Sequence, residues 1–153
     1  MATKENLEAV FVKLGMKPSV STFTDRIKLQ KIVYLTERAF GVKLGFSSSF
    51  SWYLHGPYSS SLTQVMFEDS KGTPIKLSNQ DLEKLRMART FFKKYGQTAD
   101  QLELIGSLLH ILKITERSSQ KIDPISWFAD LKPHYSRDKI KEAEEILKKN
   151  NLV

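Results

Sequence analysis

The chain has 153 residues, of which 41% are hydrophobic and 27% charged, with a formal net charge of +7 at pH 7. These values are typical of one ordinary globular domain. The absence of cysteine excludes disulfides, thiolate nucleophiles and cysteine-based zinc sites. Because no apolar run reaches the ~18 residues that span a bilayer, and the first residues do not resemble a signal peptide, we expect a cytoplasmic protein without a membrane segment.

Apolar residues repeat with helical spacing in the first part of the chain. The first predicted helix starts after Thr3 and ends at Gly15, since glycine commonly follows a helix C-terminus. The second starts after Thr22 or Thr24 and runs to Phe40. Apolar residues cover more than half of its circumference, which predicts a central position in the core.

The segment after the second helix lacks helical periodicity and is rich in serine and aromatic residues. Large residues at Phe50, Trp52 and Leu54 alternate with smaller or polar ones, which predicts a short strand near residues 46–54. In a purely structural interpretation of this segment, Trp52 and Leu54 point into the core. Residues 55–58, which contain a Gly-Pro pair, are predicted to form a turn.

The rest of the chain predicts further helices joined by short loops. They begin near Pro57, after the capping pattern of Ser78 to Asp81, near Thr98, at Asp123 and at Ser136. We therefore expect a mainly α fold with a minor β component: a compact single domain, residues 1–153, of about six helices.

Catalytic motifs are not found in the sequence. The three histidines fall on three different predicted elements, and no nucleophile elbow or glycine-rich phosphate loop occurs. The adjacent carboxylates Glu68–Asp69 and Glu144–Glu145 point apart on a helix, so they fit solvated faces better than an acid–base pair. We expect no enzyme activity, cofactor or metal, with a hydrolase whose site is not recognised as an alternative.

The densest aromatic segment runs from Trp52 to Tyr58. One interpretation is a purely structural turn, and the other is an exposed aromatic turn that contacts a partner. If the partner is a nucleic acid, the rings would stack on its bases beside nearby lysines. The positive net charge is compatible with such a partner. The candidate partner-binding residues are Lys28, Gln30, Lys31, Trp52, Tyr53, His55, Gly56, Pro57 and Tyr58.

Three stretches, in order, are similar to a known family. Residues 25–35, Asp-Arg-Ile-Lys-Leu-Gln-Lys-Ile-Val-Tyr-Leu, resemble the "KLQKLLY" helix of the Panacea domain of SocA-like antitoxins. Residues 52–59, "WYLHGPYS", resemble its "W..GP" turn and are closer still to the YwgA-like branch. Residues 77–102 resemble the later "LS..E…YG..SA..L" stretch, so the match covers roughly residues 22–112.

The resemblance implies a mainly helical domain that acts by binding protein. Some members of this family belong to toxin–antitoxin pairs and either neutralise the toxin directly or deliver it to a protease. The chain departs from the family pattern after Leu112, where the "TH…PW" segment is not clear. We expect a non-enzymatic protein-interaction module that binds a partner stoichiometrically, for example a toxin encoded nearby. The alternative is a small basic DNA-binding transcriptional regulator with a winged-helix-like core.

Overall fold

The computed structural model describes residues 2–67 and 75–153. Within these ranges the chain is mainly helical, as predicted, with one small antiparallel sheet. The helices are α1 (Lys4–Lys13), α2 (Phe23–Arg38), α3 (Ser60–Phe67), α4 (Asn79–Tyr95), α5 (Ala99–Arg117), α6 (Pro124–Leu131) and α7 (Arg137–Lys149). The strands are β1 (Ser51–Tyr53) and β2 (Gly56–Tyr58), and a single 3-10 turn, Ser47–Ser49, precedes them. The Glu68–Asp69 pair lies outside the described residues.

Side-chain caps set the starts of the helices. The hydroxyl groups of Thr3, Thr22 and Ser136 each accept a hydrogen bond from the backbone N–H three residues later. Ser78 forms a reciprocal capping box with Asp81, as predicted. A cap of this kind contributes roughly 1 kcal/mol to helix stability. The helix boundaries therefore follow from local sequence.

The second helix, α2, contains the longest run of consecutive buried residues in residues 2–67 and 75–103. Nine consecutive residues, from Leu29 to Glu37, are buried, as its apolar circumference predicts. The 3-10 turn and β2 both pack on α2, and these contacts position the hairpin. Elsewhere in this part, α1 packs on α4.

The two strands form a hairpin in which Ser51 faces Tyr58 and Tyr53 faces Gly56. The chain reverses at Leu54 and His55, so the turn begins one residue before the predicted turn at residues 55–58. Residues 56–58 are therefore a strand, and their assignment to the turn is wrong. Leu54, which the structural interpretation of this segment puts in the core, is 85% exposed at the hairpin tip, so that part of the interpretation is wrong. Gly56 permits the early reversal because its φ of 89° suits a residue without a Cβ.

Internal contacts divide the chain into two compact units, residues 1–103 and 104–153, with the division inside α5. In the second unit α6 packs on α7, and the rings of Phe128 and Tyr135 lie 6.0 Å apart. The expectation of a single domain over residues 1–153 stays a prediction. None of the helices in the described ranges is long and apolar enough to cross a membrane.

Candidate functional site

The first half of α2 and the hairpin tip enclose a cavity of about 260 Å³, which we call the hairpin groove. One face of α2 forms one wall, with side chains at helical positions i, i+3, i+4, i+7 and i+8. The other wall is the hairpin. The lining residues are Phe23, Arg26, Ile27, Gln30, Lys31, Tyr53, Leu54, His55 and Tyr58.

Large apolar side chains stand exposed around the groove. Leu54 is 85% exposed, Phe23 57% and Tyr53 54%. Two pairs of rings make edge-to-face contacts around the groove. The ring centroids of Phe23 and His55 are 5.2 Å apart, and those of Tyr53 and Tyr58 are 5.3 Å apart. The rim is thus apolar, aromatic and accessible.

Two buried polar side chains attach the hairpin to α2. The Gln30 amide donates from Nε2 to the carbonyl oxygen of Ser59 at 2.9 Å and accepts from the Ser59 N–H at 2.8 Å. The Lys31 Nζ donates to the carbonyl oxygen of Pro57 at 2.8 Å. Gln30 is 2% exposed and Lys31 1%. Because the two side chains bond the backbone after β1, they fix the position of β2 beneath the groove.

A histidine–glutamate pair positions one ring at the rim. The His55 Nδ1 lies 2.6 Å from Oε1 of Glu103, which is buried, whereas His55 is part-exposed. A carboxylate on one ring nitrogen fixes the tautomer and the orientation of an imidazole. A second groove side chain is also held in place, since the Tyr58 hydroxyl lies 2.8 Å from the Thr63 hydroxyl.

The buried serine below the hairpin is engaged in structure. The Ser59 hydroxyl accepts from the Leu62 N–H at 3.2 Å, at the start of α3, and lies 2.6 Å from the Ser49 hydroxyl. Ser49 in turn donates to the carbonyl oxygen of Phe46 at 2.6 Å. These bonds explain why a buried hydroxyl is tolerated there. They give Ser59 a role in capping and in joining the 3-10 turn to α3.

The Glu37 carboxyl of α2 has a perturbed acidity and lies outside the groove. Burial raises the pKa of the Glu37 carboxyl above its ordinary value, and hydrogen bonds from the backbone of Phe46 and Ser47 oppose that rise in part. The Phe46 N–H donates to Glu37 Oε1 at 2.9 Å. In residues 2–67 and 75–153 no group of three or more histidine, aspartate or glutamate side chains is placed to hold a metal ion.

The structure brings five of the nine candidate partner-binding residues to the groove. These are Gln30, Lys31, Tyr53, His55 and Tyr58. The other four lie elsewhere: Lys28 donates to the Gln97 carbonyl oxygen at 3.3 Å, Gly56 and Pro57 are buried, and Trp52 is half-buried opposite Pro57. The ammonium group of Lys31 is buried as well, so it is not a surface cation beside the rings.

Four groove residues were not among the sequence candidates: Phe23, Arg26, Ile27 and Leu54. The helical spacing that leads back from Gln30 to Ile27 and Phe23 would have found two of them. The structural interpretation of the aromatic segment has Leu54 in the core, and strand alternation carries no signal for its exposure at the hairpin tip.

Comparisons of the chain with protein-family models, with curated proteins and with solved structures found no match. The similarity of residues 22–112 to the Panacea domain therefore stays a prediction.

Proposed function

We propose that this chain is a non-enzymatic protein-interaction module of antitoxin or adaptor type, and that it binds one partner protein through the hairpin groove. The exposed group of Leu54, Phe23 and Tyr53 around an apolar cavity carries the proposal. Accessible apolar patches with aromatic members are typical of protein-binding surfaces. A partner side chain in the cavity would remove this surface from water, which is worth roughly 25 cal/mol per Å² of apolar area.

The buried supports of the hairpin favour tight binding. Gln30 and Lys31 bond the backbone of Ser59 and Pro57, so β2 is held in place before any partner arrives. A surface that is already ordered loses less conformational entropy on association. The groove is therefore suited to stable, stoichiometric binding.

The cavity between α2 and the hairpin tip, of about 260 Å³, has room for one bulky side chain of a partner.

Co-expression with the products of the adjacent reading frames tests the proposal. The complex is measured by size-exclusion chromatography with light scattering, and its Kd by calorimetry. We expect a complex of fixed stoichiometry, weakened at least about 30-fold by Leu54→Asp, the scale of a binding hot spot. Val12→Asp is the matched control, because Val12 is 69% exposed on α1 and lies outside the groove.

Two results would count against the proposal. One is a complex that Leu54→Asp leaves at wild-type affinity, and the other is no complex with any neighbouring product. The same purified chain is titrated with duplex DNA at 50 and 200 mM salt, both roughly within the range where counterion release is measured. A steep loss of affinity with salt would favour the DNA-binding alternative.

A further inference from the structure

We infer that the partner segment bound in the hairpin groove is acidic: it places a bulky apolar side chain in the cavity and a neighbouring aspartate or glutamate carboxylate on Arg26. The inference rests on the proposed function and specifies the chemistry of the partner. It is carried by the charges that line the groove and by the hydrogen bonds of one guanidinium group.

The accessible charge at the groove is cationic and belongs to Arg26. The Lys31 ammonium is buried on the Pro57 carbonyl oxygen, and none of the nine lining residues is an aspartate or glutamate. The nearby Glu103 carboxylate is buried and bound to the His55 Nδ1. The whole chain carries +7. Complementary potential then favours an anionic segment over a cationic one.

Arg26 offers hydrogen-bond donors in excess of those it uses. Its Nη1 donates to the Val20 carbonyl oxygen at 3.2 Å, which holds the guanidinium at the edge of the groove. Arginine has five N–H donors in a planar fork. Within the part of the chain that the structure describes, Arg26 has no carboxylate partner. A guanidinium in this state is suited to bidentate binding of a carboxylate from another chain.

The position of Arg26 ties the carboxylate to the apolar side chain. Arg26 lies three residues after Phe23 and next to Ile27 on the groove face of α2. Residues at that spacing have side chains roughly 5–6 Å apart at their Cβ atoms. A carboxylate on Arg26 would therefore come from a residue one or two positions away from the apolar residue that fills the cavity.

Three blocked peptides, titrated into the ¹⁵N-labelled chain, test the inference. The first has a phenylalanine between two glutamates, the second replaces both glutamates by lysines, and the third replaces the phenylalanine by alanine. We expect the acidic peptide to bind at least about tenfold more tightly than the basic one. The amide signals of Phe23, Tyr53 and Leu54 should shift, and the alanine peptide should bind more weakly.

Variants of Arg26 assign the preference to that residue. Arg26→Gln should bring the acidic and basic peptides to within about twofold of each other, whereas Arg26→Lys should keep part of the preference. Arg117→Gln is the matched control, since Arg117 is exposed in the last turn of α5 and does not line the groove. It should leave the preference unchanged.

The outcomes separate this inference from the proposed function. Equal binding of the acidic and basic peptides, an unchanged preference in Arg26→Gln, or no shift with the acidic peptide would overturn the inference. If Leu54→Asp weakens the complex with the natural partner while Arg26→Gln does not, the groove is the binding site, and the inference that it prefers an acidic segment is wrong. If neither substitution affects that complex, both proposals fail.

Discussion

The side-chain amide of Gln30 pairs with both backbone polar groups of Ser59, donating to its carbonyl oxygen at 2.9 Å and accepting from its N–H at 2.8 Å. A side chain of α2 thus takes the place of a neighbouring strand at the end of β2. Gln30 Nε2 also lies 3.0 Å from the Thr63 hydroxyl, which itself contacts the Tyr58 hydroxyl. One buried residue thereby joins α2, the hairpin and α3.

Removal of this amide should destabilise the fold strongly. In Gln30→Ala the buried Ser59 N–H loses its partner, whereas the Ser59 carbonyl oxygen still accepts from the Thr63 N–H at 3.4 Å. One unsatisfied buried group costs roughly 1–3 kcal/mol, so we expect the free energy of unfolding, measured by urea denaturation, to fall by about that amount. Gln80→Ala is the control, because Gln80 is exposed in the first turn of α4. A loss no larger than that of the control would show that Ser59 finds other partners.

The hairpin turn should depend on Gly56. Its φ of 89° lies in the region where a Cβ costs roughly 1–2 kcal/mol. Gly56→Ala should therefore reduce the free energy of unfolding by about that amount. Gly56→Asn should lose less, because asparagine tolerates positive φ better than alanine. Thermal and urea unfolding measure both changes, and equal losses in the two variants would argue against backbone strain as the cause.

Most of the fold could be predicted because its signals are local. Caps such as Ser78 and the apolar stripes of the helices act within a few residues, and the structure places those helices where the sequence does. The sequence predicts the turn of the hairpin too late in the chain, at residues 55–58, because Gly56 and Pro57 are common turn residues. Here Pro57 pairs with Trp52 inside a two-stranded sheet, where every strand is an edge and a missing N–H is tolerated.

The site was harder to predict because its organisation is not local. Gln30 and Lys31 look like surface residues of a helix, since charged and amide side chains are seldom fully buried. Their bonding partners, Ser59 and Pro57, lie 29 and 26 residues further along the chain. A sequence pattern shows polarity but not this pairing. The sequence predicts the aromatic segment and two α2 residues of the groove, Gln30 and Lys31. It does not single out Phe23, Arg26 and Ile27, which complete the same helix face.

The pair of His55 and Glu103 should be energetically coupled. The two side chains lie 2.6 Å apart although they are 48 residues apart in sequence. A double-mutant cycle with His55→Ala, Glu103→Ala and the double variant isolates their interaction. We expect a coupling of about 1 kcal/mol, below that of a buried charged pair because His55 is part-exposed. A coupling within error of zero would mean that the contact does not position the ring.

The pH dependence of stability should carry a contribution from Glu37. Burial raises the pKa of this carboxyl in the folded chain above its ordinary value of 4.5, so the folded state holds the proton more tightly than the unfolded state. The stabilising contribution is then complete below the unfolded pKa and is lost as pH rises through the folded pKa. Glu37→Gln removes the titration and keeps an oxygen that can accept from the Phe46 N–H.

We therefore expect Glu37→Gln to gain stability relative to wild type as the pH increases from about 4 to 8, the interval in which linkage to a raised carboxyl pKa acts. Urea midpoints of both proteins across that interval measure the difference. A change in stability that comes from altered hydrogen bonds is the same at every pH, so it does not affect the slope of the difference against pH. Glu8→Gln, at an exposed position of α1, is the control and should show no such trend. A difference that is flat, or that favours wild type at high pH, would contradict the burial argument.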